Sequence, residues 1–458
     1  MAGKIPRAVI VGGGFAGLSA ARHFAGVPVR VTLIDRHNYH LFRPLMYQVA
    51  TGLLSADEIA APLRSILHKQ KNIDVIMAEV QGVDTQHQLV HLERNSIPYD
   101  FLILATGIEY NYFGHHDWKQ VAPGLDTVDD AERIRGKILL AFEAAERAAA
   151  AGAPHSSIEE LLTFIIVGAG TAGVEMAGTI AEMANLALSR DFRHVDPRSA
   201  RILLFEALPR VIPGYPEDLS AKAQRHLEDL GVKVFTRTAV QQVDGDGVIV
   251  GGNRIRSRTV IWSAGVLASA AGRWLGAESD KNGRVKVNGD LSVPGHPNVF
   301  IVGDTALVVA YSRNLIGIKS KQPGPMPGVA QPAIQEGAYA AQVIRNRVLG
   351  RREPPPFWYW DKGSLAVIGR TFAVADLHIA RFAGFFGWLL WSGVHIYFLI
   401  GFANRFFVMT KWMLSFLLKR REVRIFPRQE TALAELPFPS GAEPHPEPVR
   451  SSTEEKAS

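Results

Sequence analysis

Two glycine-rich segments of the same pattern constrain this chain more than any other feature. The first, residues 12–17, reads Gly-Gly-Gly-Phe-Ala-Gly and lies between the apolar run 8–11 and a helical stretch. In such a segment Gly12 permits a tight turn, Gly14 lets the backbone approach a pyrophosphate, and Gly17 lets the helix pack on the strand. The next predicted strand ends at Asp35, whose carboxylate can accept hydrogen bonds from ribose hydroxyls. The segment therefore predicts a dinucleotide site.

The same arrangement occurs again in the middle of the chain. The apolar run 163–167 leads into residues 168–173, Gly-Ala-Gly-Thr-Ala-Gly, and the next strand ends at Glu206. This carboxylate would repel a 2′-phosphate, so it favours NADH over NADPH. Hydride transfer needs one donor and one acceptor held face to face. We therefore expect a tightly held flavin at one segment and an exchanging nicotinamide nucleotide at the other.

The chain has no cysteine. This excludes a disulfide framework, a thiolate zinc site, an iron–sulfur cluster and a redox dithiol, so redox chemistry must belong to a bound cofactor.

The histidine pairs 37/40 and 115/116 have no acidic or cysteine partner at metal-ligand spacing, so we expect no metal site. The formal net charge of +6 is modest for 458 residues, and we expect no nucleic-acid partner.

Short apolar strands alternate with helical patterns, which predicts an α/β fold with two Rossmann-type dinucleotide-binding domains. We expect an FAD-binding domain formed by residues 1–158 and 285–349, and an NADH-binding domain formed by residues 159–284. A C-terminal region, 350–428, is aromatic-rich, and the Pro/Glu/Ser-rich tail 429–458 is predicted to be disordered. Residues 1–7 lack the apolar core of a secretory signal, so the folded part is expected in the cytoplasm.

Further motifs resemble the pyridine nucleotide-disulfide oxidoreductase superfamily and, within it, the type II NADH dehydrogenases, which are non-proton-pumping NADH:quinone oxidoreductases. The resemblance covers residues 5–428 and uses five segments besides the two glycine patterns. Segments 102–107 and 260–265 are similar to the strand-and-turn segments that return from the two domains. Segment 299–304 resembles the motif whose aspartate contacts the FAD ribitol. Segments 38–50 and 330–337 are similar to the loop near the flavin and to the segment that covers the flavin ring and lines the quinone pocket.

The resemblance implies a glutathione reductase-like arrangement in which NADH reduces FAD and two electrons then pass to a membrane quinone without proton pumping. Gln331 and Gln335, four residues apart, would hydrogen-bond a quinone carbonyl, although an ordinary helix start with solvated glutamines fits their spacing equally well. Glu175 matches a family acid near the flavin, where a buried carboxylate with a raised pKa would steer protons toward the quinone, or would serve only as a structural hydrogen-bonding group. The expected cofactor-binding residues are Gly12, Gly14, Phe15, Ala16, Gly17, Asp35, Arg36, Thr106, Gly107, Asp304, Gly168, Gly170, Gly173, Glu206 and Gly265.

Other interpretations stay open. Glutathione reductase-like enzymes and sulfide:quinone reductases work through cysteine sulfur, so the missing cysteine excludes both chemistries. A reductase for ferredoxin or a similar carrier, and an NADH-sensing flavoprotein with negligible turnover, remain as alternatives. A homodimer is a further option.

Residues 382–403 contain no Asp, Glu, Lys or Arg and are numerous enough to span a bilayer. A single crossing would place the basic segment 405–428 outside the cell, against the positive-inside tendency. Drawn as a helix, residues 406–418 place Lys411, Ser415 and the following Lys419 on a stripe opposite an apolar face. We therefore expect two helices lying on the cytoplasmic face of the inner membrane, with these bases attracted to anionic lipid. A single span and an apolar dimer interface are the alternatives.

Overall fold

A computed structural model describes residues 5–418, and the side chains of all of these except residues 402 and 416–418. Lys419 and the tail 429–458 lie outside the described residues. The strands, in chain order, are β1 (Arg7–Val11), β2 (Arg30–Asp35), β3 (Tyr39–Leu41), β4 (Ala60–Pro62), β5 (Ile73–Met77), β6 (Val80–Asp84), β7 (Leu89–Leu92), β8 (Ser96–Pro98), β9 (Phe101–Leu104), β10 (Ile108–Tyr110), β11 (Thr163–Val167), β12 (Arg201–Phe205), β13 (Val232–Phe235), β14 (Val240–Asp244), β15 (Gly247–Val250), β16 (Asn253–Arg256), β17 (Thr259–Trp262), β18 (Val266–Ala268), β19 (Val285–Lys286), β20 (Ser292–Val293), β21 (His296–Ile301), β22 (Ala306–Leu307), β23 (Val309–Arg313), β24 (Gly324–Pro325), β25 (Trp358–Trp360), β26 (Ser364–Ile368), β27 (Phe372–Asp376) and β28 (Arg381–Gly384).

The helices cover the sheets and end the described chain. They are α1 (Phe15–His23), α2 (Met46–Ala50), α3 (Ala56–Ile59), α4 (Leu63–Leu67), α5 (Trp118–Val121), α6 (Val128–Ala150), α7 (His155–Leu161), α8 (Thr171–Glu182), α9 (Glu217–Asp229), α10 (Ala271–Leu275), α11 (Ala330–Val348), α12 (Phe385–Phe398) and α13 (Phe402–Leu418).

Two separate, mainly parallel sheets confirm the predicted α/β class. The first has the strand order β20-β21-β9-β1-β2-β5, and the second has the order β13-β12-β11-β17. Their central strands β1 and β11 are almost wholly buried, as expected for parallel strands covered on both faces. The chain leaves the first sheet after β9 and returns to it at β20 and β21, after it has formed the whole second sheet.

A short antiparallel pair joins the two sheets. Strand β10, which follows the first sheet, pairs with β18, which follows the second. Beside this pair, the Ser269 N–H donates to the Gly107 carbonyl at 3.1 Å. The segments that leave both sheets therefore meet at one place.

Helix α6 forms a packing layer in the alanine-rich segment 110–158, for which the sequence indicated no role. Its start is fixed by a capping box, in which the Asp130 N–H donates to Thr127 Oγ1 at 3.1 Å and the Thr127 N–H donates to the Asp130 carboxylate at 3.0 Å. Ile134, Ile138 and Phe142 on this helix are fully buried. Helix α6 thus belongs to one apolar core with α2 and α8.

The C-terminal region contains a small sheet that the sequence pattern did not indicate. Strands β26, β27 and β28 form a three-stranded antiparallel sheet, and α12 and α13 follow it. Strand β28 uses the first residues of the apolar run 382–403, so α12 is a helix of only 14 residues. Two helices therefore follow as expected, but α12 starts at Phe385 instead of residue 382 and packs on this sheet, whereas α13 starts at Phe402 instead of residue 406. Among residues 5–418, no helix is both long enough and apolar enough to cross a bilayer.

The orientation expected for α13 is wrong. Lys411, predicted to face anionic lipid, points into the protein, and its Nζ lies 2.9 Å from a carboxylate oxygen of Glu58. Beside it, Trp412 Nε1 donates to Gln48 Oε1 at 2.8 Å. Ser415 is also buried. The described part of the polar stripe therefore faces the body of the protein, and apolar residues on the other side of the helix face outward.

Trp412→Phe removes the hydrogen bond between α13 and Gln48 of α2. Because a buried amide oxygen on Gln48 loses its donor, we expect the substitution to cost about 1–3 kcal/mol of stability, concentrated in α13. Hydrogen–deuterium exchange should show faster exchange in residues 403–415. The matched control is Phe407→Leu on the exposed side of the same helix, and equal exchange in both variants would contradict this role for Trp412.

Candidate functional site

The first glycine turn closes β1 against its neighbours. The Gly12 N–H donates to the Ile34 carbonyl at 2.8 Å, and Gly12 has a φ of +102°, which side chains rarely tolerate. A Cβ at Gly12 would collide with the Ala105 carbonyl oxygen, whereas a Cβ at Gly14 would meet nothing within 4 Å. The glycines therefore have different tasks. Gly12 allows the turn itself, and Gly14 leaves open space at the start of α1.

The start of α1 suits a phosphate group. No side chain caps the helix at Gly14, so its first N–H groups are left for a ligand. Gly17 packs so closely on Gly12 that a Cβ would collide with the Gly12 carbonyl oxygen. Ala16 is buried beneath the turn, and the Phe15 ring lies against His40 and Phe42, with centroids 5.1 and 5.7 Å away.

Asp35 holds the turn together. Its carboxylate accepts the Gly13 N–H at 2.5 Å and the His37 N–H at 2.7 Å. These bonds fix the acid beside the glycine turn and leave further lone pairs for ribose hydroxyls. The adjacent Arg36 is exposed at the edge of the site formed by Asp35 and the glycine turn.

The second turn repeats the first atom for atom in its hydrogen bonds. The Gly168 N–H donates to the Phe205 carbonyl at 2.7 Å, and Glu206 accepts the Ala169 N–H at 2.7 Å. Gly168 has a φ of +98°, and a Cβ at Gly170 would meet nothing within 4 Å. A Cβ at Gly173 would collide with the Gly168 carbonyl oxygen. Both turns therefore provide the same backbone cradle at the start of a helix.

A hydroxyl cluster lies where the two units of the chain meet. The first unit is built around the sheet that contains β1, and the second unit around the sheet that contains β11. Thr106 Oγ1 lies 2.5 Å from Ser269 Oγ and 3.3 Å from Thr305 Oγ1, and the Thr305 hydroxyl donates to the Gly107 carbonyl at 2.9 Å. Thr106, Gly107 and the neighbouring Asp304 are thus brought together beside the first turn. Gly265 ends the equivalent segment of the second unit and is exposed.

Helix α11 packs directly on the first turn. A Cβ at Gly337 would collide with the Ala16 carbonyl oxygen, and the Ser19 hydroxyl donates to the Ile334 carbonyl at 2.7 Å. The motif 330–337 therefore lies over the start of α1, near Gly14. Within it, Gln331 is half-buried on the first helical turn.

Gln335 is committed to a structural pair of hydrogen bonds. Its Nε2 donates to the Trp360 carbonyl at 3.0 Å, and its Oε1 accepts the Trp360 N–H at 2.9 Å. The side chain therefore ties α11 to β25. Its expected role as a quinone ligand remains a prediction that this geometry does not favour.

Glu336 is a site residue to which the sequence analysis gave no role. It is buried, and its carboxylate accepts the Gly303 N–H at 2.6 Å. Burial raises the pKa of Glu336 to about 8, while the hydrogen bond from Gly303 opposes the shift and the nearby Asp304 adds to it. Burial also raises the pKa of Asp304, against the attraction of Arg43 and Arg284. This acid follows Gln335 directly in the sequence, but the pattern could not show that it faces inward.

Arg43 and His40 were also missed as individual residues, although both belong to the motif 38–50. Arg43 Nη2 lies 2.8 Å from the Asp126 carboxylate, so a positive charge stands between Asp126 and Asp304. His40 is buried, its Nδ1 lies 2.9 Å from the Gly13 carbonyl oxygen, and burial lowers its pKa to about 4. A neutral His40 therefore donates from Nδ1 and supports the turn.

Glu175 lies in α8, and its carboxylate lies against the C-terminal region. The side chain is buried, and the Val367 N–H donates to its carboxylate. Burial raises the pKa of Glu175 well above its ordinary value, and this single hydrogen bond opposes the shift only partly. The structure thus places Glu175 and Gln335 against two different strands of the C-terminal region, β26 and β25.

The two turns fit two dinucleotides in separate units. Each has open space where a pyrophosphate would approach, an uncapped helix start and an acid positioned for a ribose. This combination defines an oxidoreductase that binds two dinucleotides, one in each unit.

Comparison with known proteins agrees with this class. The family model for pyridine nucleotide-disulphide oxidoreductases matches residues 6–337, and the model for the NDH2 C-terminal domain matches residues 361–421. The chain is 42% identical to NdhA, a type II NADH:quinone oxidoreductase of Mycobacterium tuberculosis, over 91% of this chain and 88% of the relative. It is also 42% identical to the enzyme Ndh of the same organism, over 91% and 89%. The chain belongs to the type II NADH:quinone oxidoreductases of this family, which confirms the expected resemblance.

A solved structure has a similar fold. NDH2 from Plasmodium falciparum in complex with NADH superposes with a TM-score of 0.81 at 20% identity, over 93% of this chain and all of that chain. At this identity the likeness concerns the fold alone.

Gly14→Ala and Gly170→Ala are a matched pair that tests the two cradles. Each glycine has an ordinary φ and open space around its Cβ position, so both variants should fold normally. Gly14→Ala should lower FAD occupancy, measured by the 450 nm absorbance per protein, about tenfold, because a methyl group would meet the pyrophosphate. Gly170→Ala should keep its flavin and raise the KM for NADH about tenfold, since a lost contact of about 1.4 kcal/mol corresponds to this factor. Loss of flavin from both variants alike would contradict the separate assignment.

Proposed function

We propose that this protein catalyses the reaction of its family, the oxidation of NADH by a quinone with FAD as the bound cofactor. The overall reaction consumes NADH, one proton and a quinone, and yields NAD⁺ and a hydroquinone. The observation that carries the proposal is the pair of identical backbone cradles in two units that meet at Gly107 and Ser269. FAD supplies, when bound, a ring that accepts a hydride and gives up two electrons. Because the chain has no cysteine, no sulfur relay takes part.

The first cradle would hold FAD and the second NADH. Around the first, Asp35 stands at the ribose position and Asp304 stands beside the motif 330–337. Around the second, Glu206 stands at the ribose position and selects against a 2′-phosphate. We assign residues 1–158 with 285–349 to the FAD-binding domain and 159–284 to the NADH-binding domain. The return of β20 and β21 to the first sheet supports this division.

Glu175 is the residue we assign to proton supply for the quinone. Its buried carboxyl has a raised pKa and is held by the Val367 N–H of the C-terminal sheet. The raised pKa favours the protonated form of this carboxyl, which can release its proton when charge develops nearby. Gln331 stays a candidate for contact with the quinone, on the half-buried first turn of α11.

The outer side of α12 and α13 is the surface we assign to the membrane. Phe386, Leu389 and Tyr397 on α12 are 72%, 55% and 69% exposed, and Phe406 and Met413 on α13 are 54% and 56% exposed. Such a surface on a helix pair is typical of an element that lies in the interface of a bilayer. We place it on the cytoplasmic face, where NADH is available. A homodimer through the same surface is the competing assignment.

The reaction itself is tested with purified, detergent-solubilised protein. We expect a yellow protein whose flavin is bleached by NADH without oxygen and recovers its colour when a short-chain quinone is added. Sustained turnover with the quinone would set aside an NADH-sensing protein without turnover, and a preference for ferredoxin would favour the carrier reductase. A colourless preparation, or reduced flavin that quinone leaves unchanged, would refute the proposal.

Glu175→Gln tests the proton role. Deprotonation of Glu175 as the pH rises through its raised pKa removes the donor, so the rate of quinone reduction by the parent protein should fall with rising pH. The glutamine variant cannot donate a proton, and we expect a rate about a hundredfold lower that no longer follows this decline. FAD content and flavin reduction by NADH should be unchanged, as stopped-flow absorbance would show.

The matched control is Glu182→Gln, seven residues further along α8. Glu182 is also buried, and it accepts the Arg370 N–H at 2.8 Å. If both variants lose the same activity and keep the same pH profile as the parent, the effect is structural and Glu175 is not a proton donor.

A further inference from the structure

A hairpin between Asp304 and Glu336 presents apolar side chains at its tip. Strands β23 and β24 form the hairpin, residues 309–325, and residues 314–318 form the tip. Leu315, Ile316 and Ile318 are 36%, 64% and 61% exposed. Turns at protein surfaces usually carry Gly, Asn, Asp, Ser or Pro, and clustered exposed apolar residues mark contact sites.

Hydrogen bonds hold the tip in a defined shape. The Asn314 N–H donates to the Ile318 carbonyl at 3.0 Å, the Gly317 N–H donates to the Asn314 carbonyl at 2.9 Å, and the Ile318 N–H donates to Asn314 Oδ1 at 2.9 Å. At the base of the hairpin, Val308 and Ala310 are buried in the core of the first unit. The tip therefore has a hydrogen-bonded shape and projects from a buried base.

Positive charge surrounds the tip. Residues 305–335 contain no Asp or Glu, and their three bases, Arg313, Lys319 and Lys321, are all exposed. Lys319 Nζ lies 3.5 Å from the centre of the Tyr311 ring, and Arg313 Cζ lies 4.8 Å from the centre of the Trp358 ring. Bases and amphipathic aromatic rings around an apolar point match the headgroup region of an anionic bilayer.

The hairpin adjoins the surface of α12 assigned to the membrane. Strand β23 pairs in parallel with β25, and Arg313 stands opposite Trp360. Lys362 Nζ lies 4.9 Å from the Trp360 ring centre and 5.2 Å from the ring centre of Phe398, the last residue of α12. The tip thus follows on from the end of α12 through Trp360 and Lys362.

We propose that the hairpin is a second membrane contact, which inserts Leu315, Ile316 and Ile318 at the boundary of headgroups and acyl chains. Arg313, Lys319 and Lys321 then lie among anionic headgroups. The proposal rests on the membrane association assigned to α12 and α13. A second copy of the chain is the other occupant that an apolar tip could have. Charge favours lipid, because a symmetric contact between two tips would bring the three bases of each copy together.

A single fluorescent label can test the proposal, because the chain has no cysteine of its own. Ile316→Cys in the flavin-loaded, full-length protein is labelled with an environment-sensitive dye and mixed with vesicles of phosphatidylcholine and phosphatidylglycerol. We expect a blue-shifted, brighter emission that lipids brominated near the headgroup quench. Ile5→Cys is the matched control. Ile5 is 65% exposed and lies just before β1, at the opposite end of this strand from the glycine turn, so its label should not respond.

Unlabelled variants test the apolar part and the charged part of the proposed membrane contact separately. Ile316→Ser with Ile318→Ser should weaken vesicle binding about tenfold, because each exchange removes apolar area that lipid would bury. Neutralising Lys319 and Lys321 to Gln should weaken binding to anionic vesicles about fivefold per base and leave binding to pure phosphatidylcholine unchanged. NADH oxidation with a water-soluble quinone should continue at the parent rate in all of these variants.

A labelled Met409→Cys variant on the exposed side of α13 distinguishes the hairpin proposal from the proposal that α12 and α13 bind the membrane. If the label at residue 409 responds to vesicles and the label at residue 316 does not, the hairpin proposal is overturned and the helical surface stands. If neither responds, both assignments fail. A change at residue 316 that depends on protein concentration without vesicles, with a smaller particle mass for Ile316→Ser, would assign the tip to contact between copies and overturn the lipid assignment.

Discussion

A carboxylate that holds a backbone N–H at the end of a parallel strand is the interaction on which the rest of the structure depends. Asp35 does this for the Gly13 N–H and Glu206 does it for the Ala169 N–H. Each bond fixes the glycine turn, the turn fixes the start of a helix, and the uncapped helix start points toward the place of the pyrophosphate. The equal geometry of the two turns follows from equal backbone requirements, in spite of their different positions in the chain.

The parts of the site that backbone geometry dictates could be predicted from the sequence. Gly12 and Gly168 must be glycines because a Cβ there would collide with the backbone of Ala105 or Ala264, just after a neighbouring strand, so residue type and structure correspond directly. The two mainly parallel sheets confirm the α/β class, and the family model and the relatives confirm the family. The site residues themselves remain predictions that the placement of Asp35, Thr106, Asp304 and Glu206 supports.

Contacts between distant segments could not be predicted. Trp412 bonds to Gln48 across 364 positions of sequence, and Lys411 pairs with Glu58 across 353. Helical periodicity showed a polar stripe on α13, but it could not show whether that stripe faces lipid or a buried acid. The strands of the C-terminal sheet were missed because short apolar runs such as residues 364–368 carry no clear period. Glu336 was missed because burial of a single acid in a helix depends on what packs against that helix.

The shared core around α8 has a consequence for the modularity of this enzyme. Val174, Ile180 and their neighbours on this helix lie in one apolar cluster with Val367, Val374, Trp391 and Trp412. The strand β26 also approaches α8 so closely that a Cβ at Gly178 would lie 2.9 Å from the Gly369 nitrogen. The C-terminal region is therefore an integral part of the folded body. Deleting this region to obtain a more soluble enzyme would expose the apolar side chains of the shared core. Solubility therefore has to be improved by exchanging outward-facing side chains in the intact chain.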